Sequence, residues 1–165
     1  MKLNFLTAII CISLLSCSTR VQIQDANEFN GKRVGVQLIN ISNLNLPKKQ
    51  KTGTDTICAC ISQSTTDAIY PFLQQSGLTV IPLNLSSKAN IFEVVHTADS
   101  LKLDYVFVGN GIINFTGSSP FMEQLTVKLI KVKTGEAKLS GYFSGTSVSP
   151  VQAMARIGKK MVKHI

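Results

Sequence analysis

The run "LDYVFVGNGIINF", residues 103–115, is apolar almost without interruption. Near-continuous apolarity of that length predicts a strand covered on both faces, and hence a layered domain built around it. Upstream, "RVGVQLINI" alternates Val34, Val36 and Leu38 with Gly35 and Gln37, which predicts a strand over 33–40. The segment that follows, with Pro47 and Gly53, is breaker-rich. "TDTICACISQSTTDAIYPFLQQSG" then carries an apolar stripe of Ile57, Ile61, Ala68, Phe72 and Leu73, so a helix is expected. Asp55 or Thr56 is its expected cap, Pro71 its kink and Gly77 its end. "LTVIPLNL" reads as a short strand, and "NIFEVVHTADSLK" as a helix capped by Asn90.

In the last third the period changes. "EQLTVKLIKVKTGEAKLSGYFSG" reads as a hairpin turning at Thr134 and Gly135, with Leu125, Val127 and Leu129 on one face. Ser149 or Pro150 opens a final helix whose stripe of Met154, Ile157, Met161 and Ile165 is expected to dock on the sheet. Arg156, Lys159, Lys160 and Lys163 lie beside that stripe. The order β-α-β-α-β-β-β-α defines a mixed α/β (α+β) fold, with one mixed sheet covered by helices.

The N-terminus carries a different message. Lys2 precedes an apolar run from Phe5 to Leu15, shorter than the ~20 residues a spanning helix needs. A basic start, a short apolar core and small residues at its end form a secretory signal. It closes on Leu14-Leu15-Ser16-Cys17, which resembles the lipobox of bacterial lipoproteins. That resemblance implies cleavage before Cys17 and acylation of that residue. Cys11 follows the bulky Ile10 and is expected to leave with the signal. Residues 1–16 are therefore read as signal peptide, 17–32 as the lipidated cysteine and a short polar tether, and 33–165 as one globular domain. The tether spans about 50 Å at most. Within it, Val21 and Ile23 form a candidate edge strand.

Net charge is +8. Such a balance suits anionic headgroups or acidic polymers of an envelope as well as simple solubility. No nucleic-acid recognition motif accompanies it, so nucleic acid is not an expected partner. Cys58 and Cys60 are too close in sequence for a relaxed bridge, and no second cysteine pair joins them as metal ligands. His96 and Asp99 share a helix face, the one footing for a hydrolase reading, but no nucleophile motif accompanies them. His164 is penultimate. Gly109-Asn110-Gly111 lacks the third glycine and the following helix of a dinucleotide site, so a bend or a close backbone approach is expected. No cofactor and no metal is expected. Phe115 and Phe121 flank "TGSSP", either as aromatics on a protein-binding rim or as core residues. Lys48, Lys49 and Lys51 form a basic cluster for a partner or a lipid surface.

Two stretches, "ADSLKLDYVFVGNG" and "QLTVKLIKVKTGEAKLS", are similar to the second half of small envelope lipoproteins. These include the curli-secretion (CsgG-like), penicillin-binding-protein-activator (LpoB-like) and flagellar outer-membrane (FlgO-like) lipoproteins and the N-terminal domain of TolB. Ala98, Asp104, Tyr105, Val106 and Gly109 match the group's helix-to-strand motif, and Val132, Thr134, Gly135 and Glu136 its hairpin turn. The resemblance covers 32–165 and marks a fold more than an activity. It implies a non-enzymatic accessory or assembly factor that binds a protein of an envelope machine, of cell-wall, secretion or flagellar type. The expected location is the periplasmic face of the outer membrane, held in lipid by Cys17, since Ser18 and not Asp follows the anchor. The lysine-rich hairpin lacks a lipid-facing band, which argues against a pore. A hydrolase using His96 and Asp99 and a passive basic membrane-surface binder are the alternatives.

Overall fold

The computed structural model describes residues 18–23, 29–43 and 51–163, with backbone alone for 51–55. The strands are β1 (Ser18–Ile23), β2 (Arg33–Val36), β3 (Asn40–Asn43), β4 (Thr79–Pro82), β5 (Tyr105–Thr116), β6 (Ser119–Lys131) and β7 (Ala137–Ser144). The helices are α1 (Lys51–Asp67), α2 (Tyr70–Gln75), α3 (Ile91–Ser100) and α4 (Pro150–Val162). One mixed sheet runs β1-β7-β6-β5-β2-β4, and β3 pairs with β5 beyond β2. The expected mixed α+β class is what the chain adopts.

The apolar run becomes β5, and both of its edges are paired. Tyr105 and Phe107 enter the main core, whereas Val106 faces a second cluster under α3. Thus both faces of its first half are covered, as the sequence predicts. Helices α2 and α4 supply the main core with Leu73, Ala153, Met154, Ile157 and Met161, Ile69 joins it from the turn before α2, and α1 packs Cys58 and Ile61 against it. The apolar stripe of α4 is therefore spent on the sheet.

The expected strand over 33–40 is split. Val34, Gly35 and Val36 pair in parallel with residues 105–107, and Asn40 resumes pairing at Asn110. One more residue lies between those points on this side than on β5, so the core face changes from Val34 and Val36 to Ile39 and Ile41. The bulge takes the Ile39 N–H out of the ladder. Thr66 of α1 replaces the lost partner: its Oγ1 accepts from Ile39 N at 3.0 Å and donates to Ser62 O at 2.7 Å. Opposite the bulge, a Cβ on Gly109 would stand 3.2 Å from Ile39 Cγ1, and one on Gly111 2.7 Å from Ile41 Cδ1. Gly109-Asn110-Gly111 is thus a close-approach segment.

Other differences are local. α1 starts at Lys51, ahead of the expected caps Asp55 and Thr56. The expected helix breaks between Asp67 and Tyr70, and Pro71 sits in the first turn of α2, where its missing N–H costs nothing. Gly77 ends α2 with φ +79°. Asn90 caps α3 in a capping box with Glu93, and Ser149 caps α4 with Gln152. The candidate edge strand at Val21 and Ile23 is present as Ser18–Ile23 on β7, and Phe29 is completely buried, so these described residues belong to the sheet and core and not to a free tether. The Phe29 ring meets Tyr105 at 5.4 Å between centroids, so burial and aromatic contact hold this segment in the fold.

Two substitutions test this packing. Gly158 of α4 lies against Phe72, whose Cδ2 would be 2.3 Å from a new Cβ. Gly158→Ala gains about 1 kcal/mol of helix propensity but forces an overpacked contact costing about 1–3 kcal/mol, so its urea midpoint should fall. Thr66→Val strands the Ile39 N–H and should cost about 1–3 kcal/mol, while Thr66→Ser keeps most of the stability. Equal midpoints for Val and Ser would remove the capping role of Thr66.

Candidate functional site

The registers align one row across the sheet: Ser18, Ser144, Gln124, Ile112 and Ser42. Past that row β5 and β6 continue for four further pairs, from Ile113–Met122 to Thr116–Ser119. Gly117 and Ser118 make a two-residue turn, with Gly117 at φ +62°, which fits the first position of a type II′ hairpin. The base of this hairpin is tied down. Met122 N donates to Val148 O at 2.8 Å, and Gly145 N to Glu123 O at 3.1 Å.

Phe115 and Phe121 therefore do not flank a loop. They sit on neighbouring pairs of a hairpin, Phe115 with Pro120 and Phe121 with Asn114, and so on opposite faces. Both are half-buried, and Phe115 packs against the main core. The two ends of the sheet differ sharply in charge. At this end, residues 18–19, 40–43, 112–122 and 143–155 carry no charged side chain, and Lys160 of α4 reaches in to donate to Thr19 O; Glu123 stands at the bulge behind the tip, and α1 opens at Lys51. At the other end Lys32, Arg33, Lys102, Asp104, Lys131, Lys133, Glu136 and Lys138 gather around the β6–β7 turn and the starts of β2 and β5. Arg33 N donates to Asp104 Oδ2 at 2.9 Å, and Lys32 Nζ lies 3.8 Å from Asp104.

The face of the sheet opposite the main core is bare near β1. A cross-strand row of Arg20, Tyr142, Thr126, Asn110 and Asn40 runs over it, with Lys128 and Gln22 beside it. Under α1 a cavity of about 170 Å³ is lined by Val36, Leu38, Gln63, Thr66, Tyr70 and Leu83 among others. Gln37 is buried nearby and donates through Nε2 to Ser86 O, pinning the loop before α3, while its Oε1 has no partner among the described residues. The regular alternation around Gln37 predicts an outward side chain there, and the bulge turns it inward.

His96 and Asp99 are both exposed on α3, and neither lines this cavity. Phe92 on the same helix is 83% exposed. Cys58 packs against the core and Cys60 is exposed. Among the described residues no group of His, Cys, Asp and Glu is placed to hold a metal ion. No helix among them is long and apolar enough to cross a membrane. Cys17, Lys48, Lys49 and His164 lie outside the described residues, and Lys51 is the first residue of α1.

The layered sheet with its crossing C-terminal helix defines a class of small α+β domains, and solved structures share it. The PelC dodecamer from Paraburkholderia phytofirmans superposes with a TM-score of 0.54 at 16% identity, covering 89% of this chain and 95% of that one. A point variant of the same protein gives 0.52 at 15% identity, covering 89% and 96%. The C-terminal domain of LpoB from Salmonella enterica gives 0.38 at 18% identity, covering 73% and 87%. No protein-family model matches the chain, and no curated protein matches it in sequence. The likeness to PelC is one of fold.

Burial, and then the Asp67 carboxylate, raise the Tyr70 phenol above its ordinary value of 10.0. The folded state holds this proton more tightly than the unfolded chain. Its contribution is complete below the unfolded value and is lost as pH rises through the folded one. Tyr70→Phe should therefore lose less stability than the parent between about pH 9 and pH 12 in thermal midpoints. Parallel curves would show that the phenol is not so held.

Proposed function

We propose that this chain is a non-enzymatic lipoprotein of the bacterial outer membrane, anchored at Cys17 on the periplasmic face. Its domain serves as an accessory or assembly factor by binding a protein of an envelope machine. The observation that carries this reading is a PelC-type fold over 89% of the chain, directly behind the lipobox-like Leu14-Leu15-Ser16-Cys17. The resemblance of residues 32–165 to small envelope lipoproteins points the same way. The bare sheet face, with Arg20, Tyr142, Thr126 and Asn110, offers the partner a flat, hydrogen-bonding surface free of carboxylates. The exposed His96 and Asp99 stand apart from the cavity that would be needed to shelter a substrate.

Replacement of the anchor tests the reading. Cys17→Ala should abolish labelling by a palmitate analogue in growing cells and move the protein from the membrane fraction to the soluble one. Retention of label and membrane association by this variant would overturn it.

A further inference from the structure

We propose that the tip of the β5–β6 hairpin enters the headgroup region of the bilayer that holds Cys17, so that the domain stands on the membrane with its charged end outward. This rests on the lipid-anchor reading above. Because β1 begins at Ser18, no tether separates the anchor from the sheet: the acylated residue is attached at the level of the Ser18–Ser144–Gln124–Ile112 row. The hairpin lies two strands away from β1 in the sheet and passes that row by four residue pairs. At about 3.3 Å per residue the tip stands about 13 Å beyond the attachment level. A lipid at residue 17 held in the bilayer therefore brings the tip to the membrane as well, to about the depth at which interfacial elements bury their apolar groups.

The chemistry of the tip suits that depth. Residues 112–122 carry no charge, whereas Lys32, Lys102, Lys131, Lys133 and Lys138 gather at the opposite end of the sheet. Phe115 and Phe121 provide one aromatic ring on each hairpin face, and Val151, in the first turn of α4, is 41% exposed. Past Met122 and Asn43 the two strands pair only with each other among the described residues, so their outward backbone groups need water, apart from Phe115 N, which donates to Asn114 Oδ1 at 2.9 Å. Hydrated headgroups supply it; the hydrocarbon core does not. Four pairs are also far short of the ~9–11 residues of a spanning strand. The hairpin is thus an interfacial foot and not a pore wall.

The protein has no tryptophan, which makes the test direct. Ser118→Trp and Lys133→Trp each place one indole in an exposed turn, at the two ends of the sheet. Each full-length protein is purified from bacterial membranes and reconstituted in phosphatidylethanolamine–phosphatidylglycerol vesicles with brominated acyl chains, and the mass of its N-terminal peptide reports acylation. With an acylated Cys17, the fluorescence of Ser118→Trp should be blue-shifted and quenched about twofold or more, and that of Lys133→Trp should stay unquenched. If the acylated Ser118→Trp protein is unquenched, or quenched no more than the Lys133→Trp protein, the foot is overturned and the lipoprotein reading stays intact. A blue shift without bromine quenching assigns the tip to a protein contact and also overturns it. A chain without acyl groups overturns the anchor, and the foot with it.

Discussion

The bond from Ile39 N–H to Thr66 Oγ1 holds together parts of the fold that the chain keeps far apart. Strand β5 needs a parallel neighbour along most of its length, and the chain supplies one as two short pieces, β2 and β3, with a bulge between them. The bulge leaves a buried donor without a ladder partner, which would be costly if unmet. Thr66 meets it from the helical layer and passes the hydrogen bond on to Ser62 O. The same contact fixes α1 against the sheet. The glycines at 109 and 111 complete the arrangement, because the side chains of Ile39 and Ile41 lie over the room that a Cβ would take.

Much of this was legible in residue order. The doubly covered first half of β5, the caps Asn90 and Ser149, the turn at Gly135 and the docked face of α4 follow from period and capping chemistry alone. The bulge left a faint trace, since apolar positions pass from 34 and 36 to 39 and 41 with Gln37 buried between. Edge strand β1 was harder. An edge strand has one buried face, and with Arg20 and Gln22 on the other it resembles a polar linker in composition. Phe29 belongs to the core through a contact with Tyr105 that is distant in sequence, which no local pattern encodes. The β5–β6 hairpin was masked by Pro120, a residue that usually argues against a strand. Here it sits near a tip where neither neighbour needs its N–H.

The candidate site was legible in its parts and not in its arrangement. Phe115 and Phe121 stood out as aromatics around a Gly-Ser-Ser-Pro stretch, but sequence does not show on which faces they lie. The separation of charge between the two ends of the sheet is likewise a property of topology: uncharged residues 18–19, 112–122 and 143–155 are scattered along the chain, and strand pairing gathers them. The fold is shared with PelC at 16% identity, and a shared fold leaves function to surface arrangements such as these.

Edge strand β1 also shapes how the sheet is completed. Its partner is β7, so its first residue pairs with Ser144, close to the other end of the chain. Closing so large a loop is slow and is rewarded only once β7 is in place on β6. The sheet therefore grows outward from the local hairpins and is finished at the edge next to the N-terminus. A chain synthesised N-terminus first holds its opening strand in waiting until its last third has arrived.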